Sequence, residues 1–186
     1  DSLFGFAERL GVATRSMRWD IPLPDSARDY ANEALPDAAR PTPVLSPCSS
    51  HELRNWSVAR YAALADHAVK RHGMEVLLCG GRSPLEIDYG ARIEQEMRHP
   101  CRNLIGRDTL LEFLATLQRA TVLVSPDSGP AHMATTVGTP VIGLYAATNP
   151  ERSGPYYSRR WCVDRYDRAA TRFLNRSAGN LPWTEK

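Results

Sequence analysis

Residues able to bind an anion are concentrated at positions 126–132, between a predicted strand and a predicted helix. Residues 121–125 form an apolar, β-branched run that is typical of a buried strand. Asp127 or Ser128 can cap the helix that follows, and Pro130 suits its first turn. Because the backbone N–H groups at a helix start attract negative charge, we predict that a phosphorylated ligand binds at this turn.

Strands and helices alternate along the chain around this turn. Apolar runs and helical spacing predict strands at 44–45, 75–79, 103–105, 121–125 and 140–144, and helices at 58–72, 84–97, 109–119 and 131–137. On the helix at 109–119, Leu110, Leu111, Leu114 and Leu117 are expected to point inward. The alternation predicts an α/β fold: a parallel sheet with right-handed crossovers and helices on both faces. Ligands of such sheets bind outside the carboxyl ends of the strands.

Ligand-type residues follow four of these strands. They are Ser49, Ser50 and Arg54 after the first, Glu86 after the second, Asp108 after the third, and Asp127, Ser128, Gly129 and His132 after the fourth. Hydroxyl and N–H groups can surround phosphate oxygens, and Arg54 can donate bidentate hydrogen bonds to them. Glu86 can accept from ribose hydroxyls, and a protonated His132 adds positive charge. The set suits a nucleoside diphosphate.

Each of these residues also has an ordinary structural interpretation. Arg54 can be a solvated charge at a helix end, and Glu86 a first-turn acid that interacts with the helix dipole. His132 can pack against its own helix, and the two serines can be turn residues. The convergence of four loops on one sheet edge favours the ligand-binding interpretation over these alternatives.

Composition and motifs exclude several other classes of protein. The chain has 186 residues and a net charge of +2, which is too small to indicate nucleic acid binding. Its four cysteines form no CxxC pair and no disulfide framework, which indicates a reducing compartment. Its histidines are scattered and form no HExxH metal site. No apolar run approaches 18 residues. P-loop, GxGxxG and GxSxG motifs are absent, and a Ser128/His132 dyad would lack an orienting third group.

The regions outside the strand–helix alternation are less regular. Helices are predicted at 2–11, 26–35 and 164–175, and prolines crowd residues 36–47. We predict three segments: inter-domain or linker helices at 1–40, the ligand-binding domain at 41–156, and a partly helical C-terminal tail at 157–186. The chain begins without Met, and we expect it to be a piece of a longer protein.

Several motifs together resemble glycosyltransferase family 9, the heptosyltransferases of lipopolysaccharide core synthesis. The turn resembles the family's D[TS]G-x-x-H-x-A signature, followed by G-x-P and a tail ending near Gly-Pro-Tyr. The matching residues are Asp127, Ser128, Gly129, His132, Ala134, Gly138, Pro140, Pro150, Gly154, Pro155 and Tyr156. The stretches Leu104-Ile105-Gly106 with Thr109-Leu110, Gly80-Gly81 with Glu86 and Ile93, and Trp56 after a basic residue resemble further family motifs. The resemblance covers residues 41–156 well and 1–40 loosely.

The resemblance implies a GT-B enzyme made of two Rossmann-like domains, of which this chain is the C-terminal half that binds the nucleotide sugar, an ADP-sugar. It assigns Ser49, Ser50 and Arg54 to the donor phosphates, where the family usually has Lys in place of Arg54. Glu86 is assigned to the ribose, Asp108 to the adenine pocket, Asp127 to the sugar hydroxyls, and Ser128, Gly129 and His132 to the diphosphate. In the family, the position that matches Asp108 is often occupied by an apolar residue.

The same resemblance implies an inverting transferase that needs no metal or cofactor. Its general base is an Asp in the first loop of the N-terminal domain, so we assign no catalytic residue to this chain and expect no sugar transfer by it alone. The expected acceptor is a lipid-linked saccharide, reached through the other domain. The expected location is cytoplasmic, with a possible peripheral contact at the inner membrane. Alternatives are a GT-B-like UDP-sugar transferase or epimerase, or a non-catalytic nucleotide-binding module.

Overall fold

The computed structural model describes residues 4–12 and 14–181 of the chain. Its helices are α1 (Phe4–Arg9), α2 (Asp25–Ala34), α3 (Val58–His72), α4 (Pro84–Glu96), α5 (Leu110–Arg119), α6 (Gly129–Thr136), α7 (Pro150–Ser153) and α8 (Tyr166–Leu174). Its strands are β1 (Pro43–Leu45), β2 (Leu77–Leu78), β3 (Arg102–Asn103), β4 (Val122–Pro126), β5 (Val141–Tyr145) and β6 (Val163–Asp164). Short 3-10 helices lie at Glu52–Arg54, Arg159–Trp161 and Ala178–Asn180. The start of the helix predicted at 2–11 and the end of the tail predicted at 157–186 lie outside the described residues.

All strand pairs within the described ranges are parallel, and they form one sheet in the order β3-β2-β1-β4-β5-β6. Val44 of β1 lies opposite Leu77 of β2 on one side and Leu123 of β4 on the other. Strands β2 and β3 therefore lie on one side of β1, and β4, β5 and β6 lie on the other side. The order reverses between β1 and β4, and in such sheets this reversal opens a crevice at the carboxyl ends of the strands.

Helices cover both faces of the sheet, as predicted. Successive residues of each inner strand point to opposite faces, so Val44, Leu77 and Leu123 belong to one buried cluster and Leu45, Leu78 and Val124 to the other. The first cluster includes residues of α2, α5 and α6, and the second includes residues of α3 and α4. This arrangement confirms the predicted α/β fold, and it explains why the inner strands β1, β2 and β4 carry consecutive apolar residues without alternation.

Helix α2 packs against α5 rather than standing apart from the sheet domain. Ala27 and Ala31 of α2 are buried with Ala115 of α5. The guanidinium of Arg102 donates to the carbonyls of Glu33 and Ala34, both at 2.7 Å, at the C-terminal end of α2. These bonds satisfy carbonyls that the end of a helix leaves unpaired, and they place positive charge at the negative end of the helix dipole.

The C-terminal tail contributes an edge strand that the sequence analysis did not predict. Strand β6 pairs in parallel with β5, with Leu144 opposite Val163. The Ser158 hydroxyl accepts a hydrogen bond from the backbone N–H of Val141 at 3.0 Å, which fixes the tail to the start of β5. The division of the chain at residues 40 and 156 stays a prediction. None of the helices in the described ranges is long and apolar enough to cross a membrane.

The inward face of α5 differs from the predicted one. Leu114 and Leu117 are buried as expected, but Leu111 is partly exposed and Leu110 is 71% exposed. Phe113 is buried in their place, because α5 presents residues 113–117 to the sheet and to α2. The side chain of Leu110 instead reaches the cavity described below.

Candidate functional site

A cavity of about 890 Å³ opens at the carboxyl edge of the sheet, where the strand order reverses. Its walls include all of the residues predicted to bind ligand: Ser49, Ser50, Arg54, Glu86, Asp108, Asp127, Ser128, Gly129 and His132. They come from the segments that follow β1, β3 and β4 and from the first turns of α4, which follows β2, and α6. The structure therefore brings these residues to one site, as the parallel arrangement of the strands predicted. Their individual roles stay predictions.

Arg54 and Asp127 form an ion pair in the wall of this cavity. An Arg54 Nη1 lies 3.6 Å from an Asp127 carboxylate oxygen and donates to the Asp127 backbone carbonyl at 3.2 Å. The two side chains are only 17% and 11% exposed. Arg54 lies in the loop after β1 and Asp127 in the loop after β4, so the pair bridges the crevice where the strand order reverses. Such a guanidinium can exchange its carboxylate partner for a phosphate.

The first turn of α6 faces the cavity without a side-chain cap. Ser128 occupies the N-cap position, but its hydroxyl makes no hydrogen bond to the helix. That hydroxyl lies 2.8 Å from the Ser125 hydroxyl and donates to the Pro126 carbonyl at 3.2 Å. A Cβ added at Gly129 would meet nothing within 4 Å, and His132 is exposed one turn further on. The positive end of the helix is therefore accessible to an anion.

The loop after β1 is held in place by its own hydrogen bonds. The backbone N–H of Ser49 donates to the Asn55 side-chain oxygen at 2.7 Å, and the Ser49 hydroxyl accepts from the N–H of His51 at 3.2 Å. Ser49 is buried, whereas the neighbouring Ser50 is exposed at the cavity rim. The loop is fixed from within and leaves the Ser50 hydroxyl accessible to a ligand.

Glu86 closes the loop after β2. Its carboxylate accepts from the backbone N–H of Gly81 at 2.8 Å and from the Ser83 hydroxyl at 2.7 Å, and Ser83 caps α4 in return. These bonds orient the carboxylate along the cavity wall. Each carboxylate oxygen has two lone pairs, so Glu86 retains acceptor capacity for a ligand hydroxyl.

Asp108 lies in the part of the cavity nearest to β3. The pKa of its carboxyl is raised to about 6, mainly by burial and to a smaller extent by the negative charge of Glu112, while a backbone hydrogen bond and Arg82 act in the opposite direction. Its Oδ2 is buried and has no hydrogen-bond partner among the described residues. The carboxyl group accepts a backbone hydrogen bond, so only its Oδ2 is an acceptor without a donor.

Four apolar side chains that the sequence analysis did not assign also line the cavity. They are Leu85, Leu110, Phe113 and Met133. Leu85 and Leu110 are large apolar residues that the structure leaves exposed. Exposed apolar side chains that lie together mark binding surfaces, but the sequence alone does not show that these two are exposed. Cys48 also lines the cavity, but burial and the nearby Glu86 raise the pKa of its thiol to about 12. It is therefore not a thiolate nucleophile at neutral pH.

The described residues contain no group of three or more His, Cys, Asp or Glu side chains arranged to hold a metal ion. The site instead combines an arginine and a helix N-terminus at one end with apolar side chains and a carboxyl group at the other. Fold and site together define an α/β protein with a ligand crevice at the strand reversal of a doubly wound sheet.

Comparison with known proteins identifies the family. The family model described as glycosyltransferase family 9 (heptosyltransferase) matches residues 2–180, and the chain belongs to this family. The chain is 33% identical over 186 residues to the lipopolysaccharide core heptosyltransferase OpsX of Haemophilus influenzae. That match covers 100% of this chain and 53% of the relative, so the chain spans about half the length of this relative.

Solved GT-B glycosyltransferases share the fold. A family 9 glycosyltransferase from Veillonella parvula superposes with a TM-score of 0.78 and 23% identity, covering 92% of this chain and 51% of that one. The E. coli heptosyltransferase WaaC, solved with ADP, superposes with a TM-score of 0.63 and 22% identity, covering 81% and 45%. The chain corresponds to about half of each of these structures.

Proposed function

We propose that this chain is the nucleotide-sugar-binding half of an inverting heptosyltransferase-like enzyme, with an ADP-sugar as its ligand. One observation carries the proposal: four loops, from four parallel strands, bring complementary groups to a single cavity at the strand reversal. The family membership supports the class of enzyme. ADP, which is present in the WaaC structure, supports the choice of nucleotide.

The diphosphate is assigned to the end of the cavity between β1 and β4. Two groups that bind phosphate face the crevice there, the uncapped start of α6 and the Arg54 guanidinium, whose partner Asp127 a phosphate can replace. The open space above Gly129 lets phosphate oxygens approach the backbone closely. His132 and the hydroxyls of Ser49, Ser50 and Ser128 supply further hydrogen-bonding groups.

The rest of the nucleotide then extends along the sheet edge towards β3. Neighbouring strands lie about 4.8 Å apart, so the loops after β4 and β3 are separated by three spacings, about 14 Å. This distance suits an extended nucleoside diphosphate. Glu86 in the middle accepts from the ribose hydroxyls, and Asp108 with the apolar wall of Leu85, Leu110, Phe113 and Met133 surrounds the base.

Asp127 is assigned to the donor sugar. Its carboxylate lies beside Arg54, at the phosphate end of the cavity, where the sugar of a nucleotide sugar is attached. When a phosphate takes over the Arg54 guanidinium, the Asp127 carboxylate becomes free to accept from sugar hydroxyls. This change of the Arg54 partner, from the Asp127 carboxylate to a phosphate, couples nucleotide binding to sugar recognition.

Catalysis by the whole enzyme consists of stabilising the departing diphosphate while an acceptor hydroxyl attacks the sugar. Arg54, the α6 N-terminus and His132 provide electrostatic stabilisation of the negative charge that develops on the leaving group. We infer that the general base and the lipid-linked saccharide acceptor belong to the part of the enzyme outside this chain. The chain alone is therefore expected to bind nucleotide without transferring sugar.

A ligand panel tests this function. The binding of ADP, UDP, GDP and an ADP-sugar to the purified chain is measured by thermal shift and by calorimetry, and sugar transfer is assayed in parallel. The expected result is binding of ADP and the ADP-sugar with no turnover. Preferential binding of UDP would favour a UDP-sugar enzyme, absence of any nucleotide binding would favour a non-catalytic scaffold, and turnover by the chain alone would refute the assignment of the general base.

A further inference from the structure

The Ser125 hydroxyl is a buried polar group whose hydrogen-bond partner belongs to the cavity wall. Ser125 lies in β4 and is fully buried, and its hydroxyl lies 2.8 Å from the hydroxyl of Ser128, which lines the cavity. Within the described ranges, this is the hydrogen bond that the Ser125 side chain makes. Because a buried hydroxyl without a partner is unfavourable, the two serine side chains hold each other in place.

The direction of this hydrogen bond follows from a second one that Ser128 makes. A serine hydroxyl has one hydrogen to donate, and Ser128 donates it to the Pro126 carbonyl at 3.2 Å. Ser125 is therefore the donor to Ser128. Both partners of the Ser128 hydroxyl, Ser125 and Pro126, are residues of β4. The side chain of Ser128 is thus held towards the strand and away from the helix that follows.

This arrangement keeps Ser128 from capping α6. Ser128 occupies the N-cap position, where a serine side chain commonly accepts from the N–H of the second or third helical residue. The second residue is Pro130, which has no N–H, so a Ser128 cap could use only the N–H of Ala131. The Ser128 side chain makes no such bond. Side-chain caps and bound anions compete for the same end of a helix.

We propose that Ser125 is a positioning residue of the diphosphate site: its hydroxyl holds the Ser128 side chain against β4 and so keeps the start of α6 open to phosphate oxygens. Ser125 is buried behind the cavity wall and acts only through Ser128. It has this role only if a nucleoside diphosphate occupies the cavity, so the inference rests on the proposed function.

Calorimetric titration with ADP compares the unmodified chain with Ser125→Ala, and circular dichroism checks that the variant is folded. Without the Ser125 donor, the Ser128 side chain is free to rotate onto the Ala131 N–H. A serine cap changes an equilibrium constant by a factor of about 2 to 30, and ADP must displace it. Ser125→Ala is therefore expected to raise the dissociation constant for ADP at least about threefold.

The double variant Ser125→Ala/Ser128→Ala separates positioning from a general effect of β4 on the site. Alanine at position 128 cannot cap the helix, so Ser125 has no side chain left to hold. Adding Ser125→Ala to a Ser128→Ala chain is expected to change the dissociation constant for ADP by less than about twofold. A merely structural role of Ser125 would weaken ADP binding equally in both backgrounds.

Thr116→Val is the matched control. Thr116 of α5 is also fully buried, and its hydroxyl donates to the Glu112 carbonyl at 2.8 Å, but it does not line the cavity. The substitution removes a buried hydroxyl of similar burial away from α6, and ADP affinity is expected to stay within about twofold. A loss as large as that of Ser125→Ala would mean that removal of any buried hydroxyl weakens binding, which would overturn the inference.

Two further outcomes overturn the inference and leave the proposed function intact. One is a folded Ser125→Ala chain that binds ADP within about twofold of the unmodified chain. The other is an equal loss of affinity from Ser125→Ala in the presence and in the absence of the Ser128 hydroxyl. Failure of the proposed function is a different result, because the unmodified chain would then not bind ADP at all, and the role of Ser125 would fall with it.

Discussion

Replacement of Arg54 by alanine tests the proposed phosphate site most sharply. The Arg54 guanidinium is 17% exposed and donates to the Asp127 carbonyl at 3.2 Å, so its position in the crevice is fixed before any ligand binds. A hydrogen bond from such a charged donor to a phosphate contributes about 1.5–3 kcal/mol. Arg54→Ala is therefore expected to raise the dissociation constant for ADP by about 10- to 150-fold.

Arg54→Lys separates charge from geometry. Lysine keeps the positive charge but loses the planar fork that donates two parallel hydrogen bonds, so we expect an intermediate loss of affinity. Arg82→Ala is the matched control, because Arg82 is an exposed arginine near the site that does not line the cavity. Its effect on ADP affinity is expected to stay below about twofold.

Calorimetric titration with ADP at fixed ionic strength measures these changes, and circular dichroism checks that each variant is folded. Arg54→Ala is also expected to lower the free energy of unfolding by about 1–3 kcal/mol, because it leaves the partly buried Asp127 carboxylate unpaired. A folded Arg54→Ala chain that binds ADP within about twofold of the unmodified chain would refute the phosphate role of Arg54.

The remaining predictions concern Asp127, Gly129, Gly138 and Asp108. Asp127→Asn removes a negative charge beside the proposed diphosphate, so ADP affinity is expected to stay equal or increase, while the affinity for an ADP-sugar relative to ADP falls at least about fivefold in calorimetric titrations. Gly129→Val fills the open space at the start of α6, and it is expected to weaken ADP binding at least about tenfold. Because Gly129 is helical and directly precedes Pro130, the β-branched side chain is also expected to lower the free energy of unfolding by roughly 0.5–3 kcal/mol, so ADP binding is compared at a temperature where the variant is folded. Gly138 ends α6 with φ +78° in open space, so Gly138→Ala is expected to cost about 1–2 kcal/mol in urea unfolding through backbone strain alone. The pKa of Asp108 is raised to about 6, so the native state holds a proton that the unfolded state releases between about pH 4 and 6, and stability is lost as pH rises through this window. Because Asp108 is partly exposed, screening reduces the effect, and Asp108→Asn is expected to be about 1 kcal/mol more stable than the unmodified chain at pH 8 and equally stable at pH 4 in thermal unfolding.

Each of these expectations has a contrary result. An Asp127→Asn chain whose affinity for the ADP-sugar relative to ADP is unchanged or higher would remove Asp127 from the sugar site. Normal ADP binding by Gly129→Val would place the diphosphate elsewhere. A neutral Gly138→Ala would mean that the turn relaxes, and an Asp108→Asn stability gain that persists at pH 4 would have a cause other than ionisation of the carboxyl.

The fold was largely predictable from local sequence. The apolar runs of β4 and β5, the caps at Ser83 and Thr109, and the glycines that end α3 and α6 are all signals that act over a few residues. Once a parallel sheet is predicted, the strands must end at one edge, and this rule alone placed the polar loops together. The clustering of these residues at one cavity was therefore predictable, while their roles in binding stay predictions.

Contacts that depend on tertiary packing were not predictable. Strand β6 has two exposed residues, Val163 and Asp164, and it forms because β5 offers a free edge. Leu110 was expected inside because its spacing is helical, but the packing of α2 on α5 rotates the buried face towards Phe113. The pairing of Arg54 with Asp127, 73 residues apart, has no local signal at all.

The most direct test of the central claim is a crystal structure of this chain with ADP. The expected result places the diphosphate within hydrogen-bond distance, about 3 Å, of the Arg54 guanidinium and the first-turn N–H groups of α6, with the adenine beside Leu85 and Leu110. ADP bound with its phosphates away from this crevice, or outside the cavity altogether, would contradict the claim that the strand reversal between β1 and β4 is the nucleotide site.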